Sequence, residues 1–488
     1  MAVGCRIEDC FALGTAGLVF KCTLSNLLPM AKKAKKIQTA KGLGFKVVNP
    51  DAAGIDIADS EMQVCVPKDR DGENNRRFGS FTKDLRCICE WLHACNVKTV
   101  AMEATGIYWV QLFKMLQMEG FDVVLVNARD AKNYSGKKTD ESDAEWLMVL
   151  HSHGLLKASF QPNEATRAIR NLCRHRNSIL KSSSVSVQRM QKAMELMNIK
   201  LTNVIRDILG KSGQAIISAI LRGNHDPKSL ALLADPRCKQ SKETIADSLE
   251  GTWDEDHLFA LKQSYEQYKF YQQQLQECDA QIEALMAKYS AKIDEKQVAK
   301  LERSKKRINQ KNATSVDVEK YANIYWGVNV MEIPGMSTAS ILQLMGELGH
   351  DFIDKFETSA QFCRWCNVVP NTKISGGKIL SSRVPKRKNP VGQIFRLCAN
   401  TLGRSKGTLG SYFRRLKSRG GYMHAIVATA HKLAEIFYTM VKTKSAYNES
   451  LAGEDDKTIL KHRIDKLSKT LKTLESRYLL SIGCNVVI

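Results

Sequence analysis

The chain has 488 residues, enough for two or three domains that each bury a hydrophobic core. Its 73 lysines and arginines outnumber 51 aspartates and glutamates, which gives a formal net charge of +22 and a pI near 9.4. This excess of positive charge favours an anionic partner, and nucleic acid is the commonest one. We expect no membrane partner, because the sequence has no run of 18 apolar residues and no basic amphipathic helix with a lipid-facing side.

The 14 cysteines follow no repeating pattern and no export signal precedes them, so we expect reduced thiols in a cytoplasm. Cys363 and Cys366 have the spacing of a zinc-ligand pair, but no second pair or histidine cluster lies near them in the sequence. We therefore predict that both are buried core residues. Residues 1–49 are predicted to be a basic, partly disordered extension.

Residues 50–160 predict an α/β domain. Two short strands flank Ala58, Asp59 and Ser60, which is a typical hairpin pattern, and a third strand is expected at residues 76–81. Helices follow at residues 85–95, 108–118 and 140–150, and they alternate with strands at residues 99–103 and 122–126. Three antiparallel strands followed by this alternation is the order of an RNase H-like (RuvC-type) domain.

Residues 161–320 predict a helical region that contains a heptad seam. Eight of the ten seam residues are apolar or aromatic. The seam consists of Leu258, Leu261, Tyr265, Tyr268, Gln272, Leu275, Asp279, Ile282, Met286 and Tyr289. It predicts a coiled-coil hairpin or a dimerising helix, and a single amphipathic helix packed on its own domain is the alternative.

Residues 325–442 predict a second domain, mainly α-helical, that begins near Trp326. Residues 443–488 predict a helical tail of polar to basic character. Ile459, Ile464, Leu467 and Leu471 lie on one side of this tail, so we expect it to add a contact between copies of the chain.

Four acidic residues are candidates for chemistry. Asp56 lies between Ile55 and Ile57 in the first strand, so strand alternation turns it to the opposite face from both neighbours. Glu103 ends an apolar strand, and functional residues of open α/β sheets lie beyond the carboxyl ends of strands. Asp140 and Asp143 are three residues apart on a predicted helix and share a face of it.

An acidic residue in an apolar strand is costly unless it is paired or bound to a metal ion. Four carboxylates that converge from two strands and a helix would bind two Mg²⁺ ions, roughly 3.5–4 Å apart, and support phosphoryl transfer. Mn²⁺ also suits carboxylate ligands. For any one of these residues, a helix cap or a surface charge is the alternative.

Several segments share their order and spacing with one known family. In the first domain they are Gly54-Ile55-Asp56-Ile57-Ala58, Met102-Glu103-Ala104-Thr105-Gly106-Ile107-Tyr108-Trp109, Val126-Asn127-Ala128-Arg129 and Lys138-Thr139-Asp140-Glu141-Ser142-Asp143-Ala144. Later ones are Glu332-Ile333-Pro334-Gly335-Met336, residues 362–370, Ile374-Ser375-Gly376-Gly377-Lys378 and residues 386–396. Together they resemble the DEDD transposases of insertion-sequence family one-ten over about residues 50–180 and 325–440. The chain is longer than is typical of that family.

The resemblance implies a RuvC-like recombinase that cuts and joins DNA to move an insertion sequence, guided by a structured bridge RNA. By motif match, Asp56, Glu103, Asp140 and Asp143 correspond to the metal-binding set, and Ser375 corresponds to a covalent nucleophile. The expected partners are donor and target DNA, a guide RNA and further copies of the chain in a dimer or tetramer. The expected location is a prokaryotic cytoplasm, at the nucleoid.

Ser375 also has a physical case beside the resemblance. Gly376 and Gly377 permit a phosphate to approach the backbone closely, whereas the alternative is a simple turn. A serine hydroxyl needs a base or a metal ion to become a good nucleophile. Ser381 and Ser382 are nearby competitors for the same role.

Two basic clusters are candidate nucleic-acid contacts. Around Ser375 the residues expected to contact phosphate are Lys373, Lys378, Arg383, Lys386, Arg387, Lys388 and Arg396. After the first domain, the residues expected to contact structured RNA are Arg167, Arg170, Arg174 and Arg176. Two other functions stay open, a RuvC-like nuclease or junction resolvase that uses water, and a non-catalytic nucleic-acid-binding derivative.

Overall fold

The computed structural model describes residues 46–127, 140–291, 303–304, 313–385, 389–449 and 456–481. The side chains of residues 140–142, 456–459 and 479–481 lie outside this description. The predicted extension at residues 1–49 lies almost wholly outside it too. The chain divides into two compact units, residues 1–160 and 161–488.

The first unit contains a five-stranded mixed sheet. Its strands are β1 (Ala52–Ile57), β2 (Glu61–Cys65), β3 (Asn75–Gly79), β4 (Thr99–Glu103) and β5 (Asp122–Val126), in the order β3-β2-β1-β4-β5. β2 pairs antiparallel with β1 and β3, whereas β4 pairs parallel with β1 and β5. This arrangement fits the α/β RNase H-like domain predicted for this part of the chain.

Helices cover both faces of the sheet. The helices are α1 (Thr82–Ala94), α2 (Trp109–Met118) and α3 (Asp140–Ser152). On one face, Ile55 and its alternate neighbours on β1 form the main core with α1 and α2. On the other face, α3 packs through Ala144 and Leu147 on Cys65, Ala101 and Val126. β1 is therefore buried on both sides, as expected for a strand between two helical layers.

The second unit begins with two long helices joined by short ones. Helix α4 (Glu164–Leu196) and helix α9 (Glu255–Ser290) pack along each other. Between them lie α5 (Leu201–Val204), α6 (Lys211–Ile220), α7 (Pro227–Leu232) and α8 (Lys242–Asp247). All ten seam residues of α9 are buried or half-buried, so the seam is a packed face of the chain itself. That this pair forms a supercoil stays a prediction.

Five α-helices follow in the second unit: α10 (Val318–Trp326), α11 (Thr338–Leu348), α12 (Ser359–Trp365), α13 (Pro390–Thr401) and α14 (Thr408–Thr443). Their shared core is aromatic, with Trp326, Phe352, Phe362 and Phe437 in ring contacts. Helix α14 is kinked at Gly421, whose φ is 80°. The C-terminal region is thus helical, as predicted, and α15 (Asp456–Ser481) follows it.

Cys363 and Cys366 lie in this aromatic core and are 1% and 0% exposed. Burial raises the pKa of the Cys363 thiol to about 12 and the pKa of Cys366 well above its ordinary value. Their burial confirms the prediction that both are core residues.

An exposed β-hairpin interrupts the second helical region and was not expected from the sequence. Its strands are β6 (Asn371–Ser375) and β7 (Lys378–Arg383). Gly376 and Gly377, with φ of 54° and 74°, form its two-residue turn. Positive φ at both turn positions is what a right-twisted hairpin requires, and glycine adopts it without strain. Among the residues that the structure describes, no helix has the length and apolar character to cross a membrane.

Candidate active site

Asp56 and Glu103 occupy neighbouring positions on adjacent parallel strands. The β1–β4 register pairs Gly54 with Ala101 and Ile55 with Met102, so Asp56 and Glu103 come next along the same ladder. Neighbouring strands are roughly 4.8 Å apart, and both residues lie on the face that α3 covers. The register therefore brings two carboxylates side by side at the carboxyl ends of β1 and β4.

Helix α3 runs antiparallel to these strands. Its last residue, Ser152, accepts hydrogen bonds from the backbone N–H groups of Val48 and Asn49, just before β1. Near the same end, the His151 Nε2 atom lies 2.8 Å from the Thr99 hydroxyl at the start of β4. The first turn of α3 therefore lies towards the carboxyl ends of β1 and β4, where Asp56 and Glu103 are.

Gly54 allows α3 to lie directly on β1. A Cβ atom at this position would be 2.3 Å from both the Ala144 carbonyl oxygen and the Met148 backbone nitrogen. Ala144 follows Asp143, so the close approach at Gly54 sets how far α3 extends along the sheet. The role of Gly54 was not inferred from the sequence. Its position two residues before Asp56, on the same face of the strand, could have indicated a close approach of another element there.

Asp56, Glu103 and Asp143 are each half-buried. The Asp56 Oδ1 atom accepts a hydrogen bond of 3.1 Å from the Ile57 backbone N–H, and the Glu103 Oε1 atom accepts one of 3.3 Å from the Thr105 hydroxyl. Asp140 begins α3, and its side chain lies outside the described residues. The structure thus brings three of the four predicted acidic residues to one edge of the sheet.

The donor chemistry of this edge fits a divalent cation, because Mg²⁺ and Mn²⁺ prefer carboxylate oxygens. Among the side chains that the structure describes, however, no three His, Cys, Asp or Glu residues form a group that could hold a metal ion. The carboxylates are therefore neighbours without converging on one point.

Ser375 is the last residue of β6, in the second unit, and it is exposed beside the hairpin turn. A Cβ atom added at Gly376 or Gly377 would meet none of the described residues within 4 Å, so space is left around the turn. Lys373 and Lys378 are exposed on the same hairpin. The tip combines a hydroxyl, an open backbone and positive charge.

The hairpin carries exposed apolar residues as well as basic ones. Ile374, Ile379 and Leu380 are 65%, 66% and 69% exposed. Arg383 is exposed at the end of β7, whereas Lys386, Arg387 and Lys388 lie outside the described residues. Arg396 is half-buried on α13 and donates a hydrogen bond to the Asn367 carbonyl oxygen, and burial lowers its pKa. Arg396 is thus a structural contact more than a free surface charge.

Two of the arginines expected to contact RNA are instead interior. The Arg176 guanidinium binds both carboxylate oxygens of Asp279 at 2.5 and 3.2 Å, and its side chain is only 4% exposed. Arg170 donates to the Gly346 and Glu347 carbonyl oxygens, and burial lowers its pKa to about 10. Both side chains tie α4 to its neighbours, so we replace their predicted RNA contact with a structural role.

The other two arginines differ from this pair. Arg174 forms a bidentate ion pair with Glu347 at 2.8 and 3.0 Å, but its side chain is 54% exposed. Arg167 is half-buried, and burial lowers its pKa. Exposed basic residues that sequence reasoning missed continue the outer face of α4 beyond Arg174, namely Lys181, Arg189 and Lys192.

The sheet order and the paired carboxylates place the first unit in the class of RNase H-like α/β domains. Comparison with family models then finds a DEDD transposase family that matches residues 53–199. A second model, described as a transposase of the IS116/IS110/IS902 family, matches residues 328–412. The two matched regions together support an IS110-family DEDD transposase. A comparison with curated proteins finds no match.

Proposed function

We propose that the chain catalyses DNA strand cleavage and exchange that moves an insertion sequence, with a carboxylate site on the first unit and Ser375 as the nucleophile. The adjacency of Asp56 and Glu103 on β1 and β4, at the end of the sheet where α3 begins, carries this proposal. The first family match spans all four acidic residues, and the second spans Ser375.

Asp56, Glu103, Asp140 and Asp143 would hold the divalent cations, Mg²⁺ or Mn²⁺. When bound, such ions activate the attacking oxygen and stabilise the leaving oxygen in phosphoryl transfer. Asp56 and Glu103 supply ligands from a rigid sheet, and the two residues of α3 supply ligands from a helix held by its contact at Gly54. Rigid supports of this kind keep ligands in place while the substrate changes.

Ser375 would attack the scissile phosphorus through its hydroxyl oxygen and form a serine–phosphate ester. The bond from phosphorus to the 3′- or 5′-oxygen of the DNA would break, and that oxygen would leave as a hydroxyl, with the proton that the serine gives up balancing the step. Glycine at residues 376 and 377 leaves space for the phosphate backbone at the turn. Lys373 and Lys378 lie near the hydroxyl on the same hairpin, and Arg383 lies at the other end of it; all three would contact the flanking phosphates.

We also propose that a structured bridge RNA guides the reaction, as the family resemblance implies. The net charge of +22 supports a polyanionic partner such as RNA. Arg174, Lys181, Arg189 and Lys192 form an exposed basic line along the outer face of α4. This line replaces Arg170 and Arg176 as the surface that we propose for RNA phosphates and 2′-hydroxyls.

The test of the nucleophile is a covalent adduct. The chain is incubated with element-end DNA and Mg²⁺, and protein–DNA adducts are resolved under denaturing conditions. We expect Ser375→Ala to abolish the adduct and Ser382→Ala, on β7 of the same hairpin, to retain it. Cleavage that persists in Ser375→Ala would support a nuclease that uses water. Activity that persists unchanged in Asp56→Asn would contradict a catalytic role for the four acidic residues.

The test of guidance is RNA that copurifies with the chain from a cell carrying its native locus. One discrete, structured RNA encoded beside the gene would support guidance. Scattered cellular RNA, or none, would indicate that the protein reads DNA directly.

A further inference from the structure

Helix α15 (Asp456–Ser481) has an apolar side that is exposed along its described length. The helix is 26 residues long, and every residue from Leu460 to Tyr478 is exposed. It lies outside both regions that match the transposase families, residues 53–199 and 328–412. In proteins most helical stability comes from the packing of an apolar face, so the exposed apolar side of α15 is available for packing on a partner.

The apolar residues of α15 follow a heptad pattern. They are Leu460, Ile464, Leu467, Leu471, Leu474 and Tyr478, spaced alternately four and three residues apart, and they are 56–66% exposed. Spacing of this kind, sustained over two and a half heptads, is the pattern of a coiled-coil seam. Leucine occupies all three d positions, and Ile464, Leu471 and Tyr478 occupy the a positions.

We propose that α15 forms a two-stranded coiled coil with α15 of a second copy of this chain. A heptad seam is self-complementary, so a second copy offers each a and d residue a matching layer. Among parallel coiled coils, isoleucine at an a position combined with leucine at the d positions favours two strands.

The seam is large enough for a specific interface. Fully burying a side chain of this kind removes roughly 100 Å² of apolar surface from water. The twelve seam residues of two helices together bury about 1,200 Å², which reaches the range of stable protein interfaces. The share of one chain, about 600 Å², lies at the upper end of the largest apolar patches that soluble monomers usually carry.

Charge next to the seam is compatible with either orientation. In the antiparallel arrangement Arg463 lies beside Arg477, which is repulsive, but on the other side of the seam Lys461 lies beside Glu475, which is attractive. In the parallel orientation, the same arginines lie across from Ser468 and from residue 482, so this repulsion does not arise. Lysines at residues 466, 469 and 472 lie away from the seam and keep the outer surface charged.

Cysteine cross-linking in the full chain tests both the partner and the orientation. In a parallel coiled coil Leu460→Cys places two thiols in one layer, whereas in an antiparallel one Leu460→Cys shares a layer with Tyr478→Cys of the other copy. We expect one of these two interchain disulfides above the background of the unmodified chain. His462→Cys is the matched control, because residue 462 lies on the outer face and should not cross-link. In the antiparallel arrangement the two residues at position 460 are separated by 18 residues, about 27 Å.

Sedimentation of the full chain provides the second readout. We expect Ile464→Asp with Leu471→Asp to weaken association at least tenfold and Lys469→Asp, outside the seam, to leave it unchanged. The absence of both disulfides would overturn the pairing of α15 with α15 of a second copy. Unchanged association of the double variant would overturn the coiled coil. A double variant that loses nucleic-acid binding but keeps its assembled mass would assign the apolar side to nucleic acid instead.

Discussion

Replacing Gly54 with alanine tests whether the contact between α3 and β1 positions the acidic residues of α3 beside Asp56 and Glu103. The added methyl carbon would lie 2.3 Å from two backbone atoms of α3, more than 1 Å inside ordinary van der Waals contact of 3.4–4 Å. Backbone atoms cannot turn aside as a side chain can, so the whole helix must move. Overpacking of this severity costs about 3 kcal/mol.

For a unit of this size, that loss lowers the melting temperature by roughly 6–12 °C. Because α3 carries Asp140 and Asp143, a shift of about 1 Å should also lower the rate of DNA cleavage about 100-fold. Thermal unfolding and adduct formation are measured on the same preparation. Gly72→Ala is the control, since a Cβ atom at residue 72 meets nothing within 4 Å. If Gly54→Ala melts and reacts like Gly72→Ala, α3 is not held by this contact.

Three further outcomes follow from the described contacts. Arg176→Ala should destabilise the second unit by about 3–5 kcal/mol because it leaves Asp279 buried and unpaired, and a double variant that combines Arg176→Met with Asp279→Leu should recover most of that loss in urea unfolding. Burial holds the pKa of His151 below its ordinary value near 6.5, so below that pH the unfolded chain binds a proton that the folded chain does not. The free energy of unfolding should therefore fall as the pH drops below about 6.5. His151→Gln should reduce this dependence on pH. Glutamate at Lys373 and Lys378 should weaken DNA binding and reduce the slope of log Kd against log salt concentration by about 2, whereas an unchanged slope would remove the hairpin from the DNA surface.

The burial of Arg176 and the hairpin β6–β7 in the second unit could have been predicted from sequence patterns, although the residue composition did not indicate them. Arg176 continues the buried stripe of Ile169 and Cys173 on α4, and its position on that stripe indicated burial more strongly than its charge indicated RNA. The hairpin β6–β7 also had a signal, because Gly376-Gly377 is a typical two-residue turn. Its strands lacked the alternation of a half-buried sheet, since nearly all of their residues are exposed.

The sequence by itself determined the elements of the first unit, because strand and helix periodicity depends on local spacing. β4 and β5 have the predicted bounds, since each is a short run with clear turns at both ends. Chain-local patterns also placed Asp56 in a strand and Glu103 at the end of one. The family resemblance, which depends on the order of short motifs, was likewise readable from the sequence and is confirmed by the two family matches.

Only the tertiary structure decided which of these residues meet. Asp56 and Glu103 become neighbours because β4 crosses over to pair parallel with β1 in one register, and a shift of one residue would turn one of them to the opposite face. Arg176 and Asp279 are far apart in the chain and become an ion pair only when α4 and α9 pack together. Long-range pairings depend on the packing of the whole unit, and no local pattern specifies them.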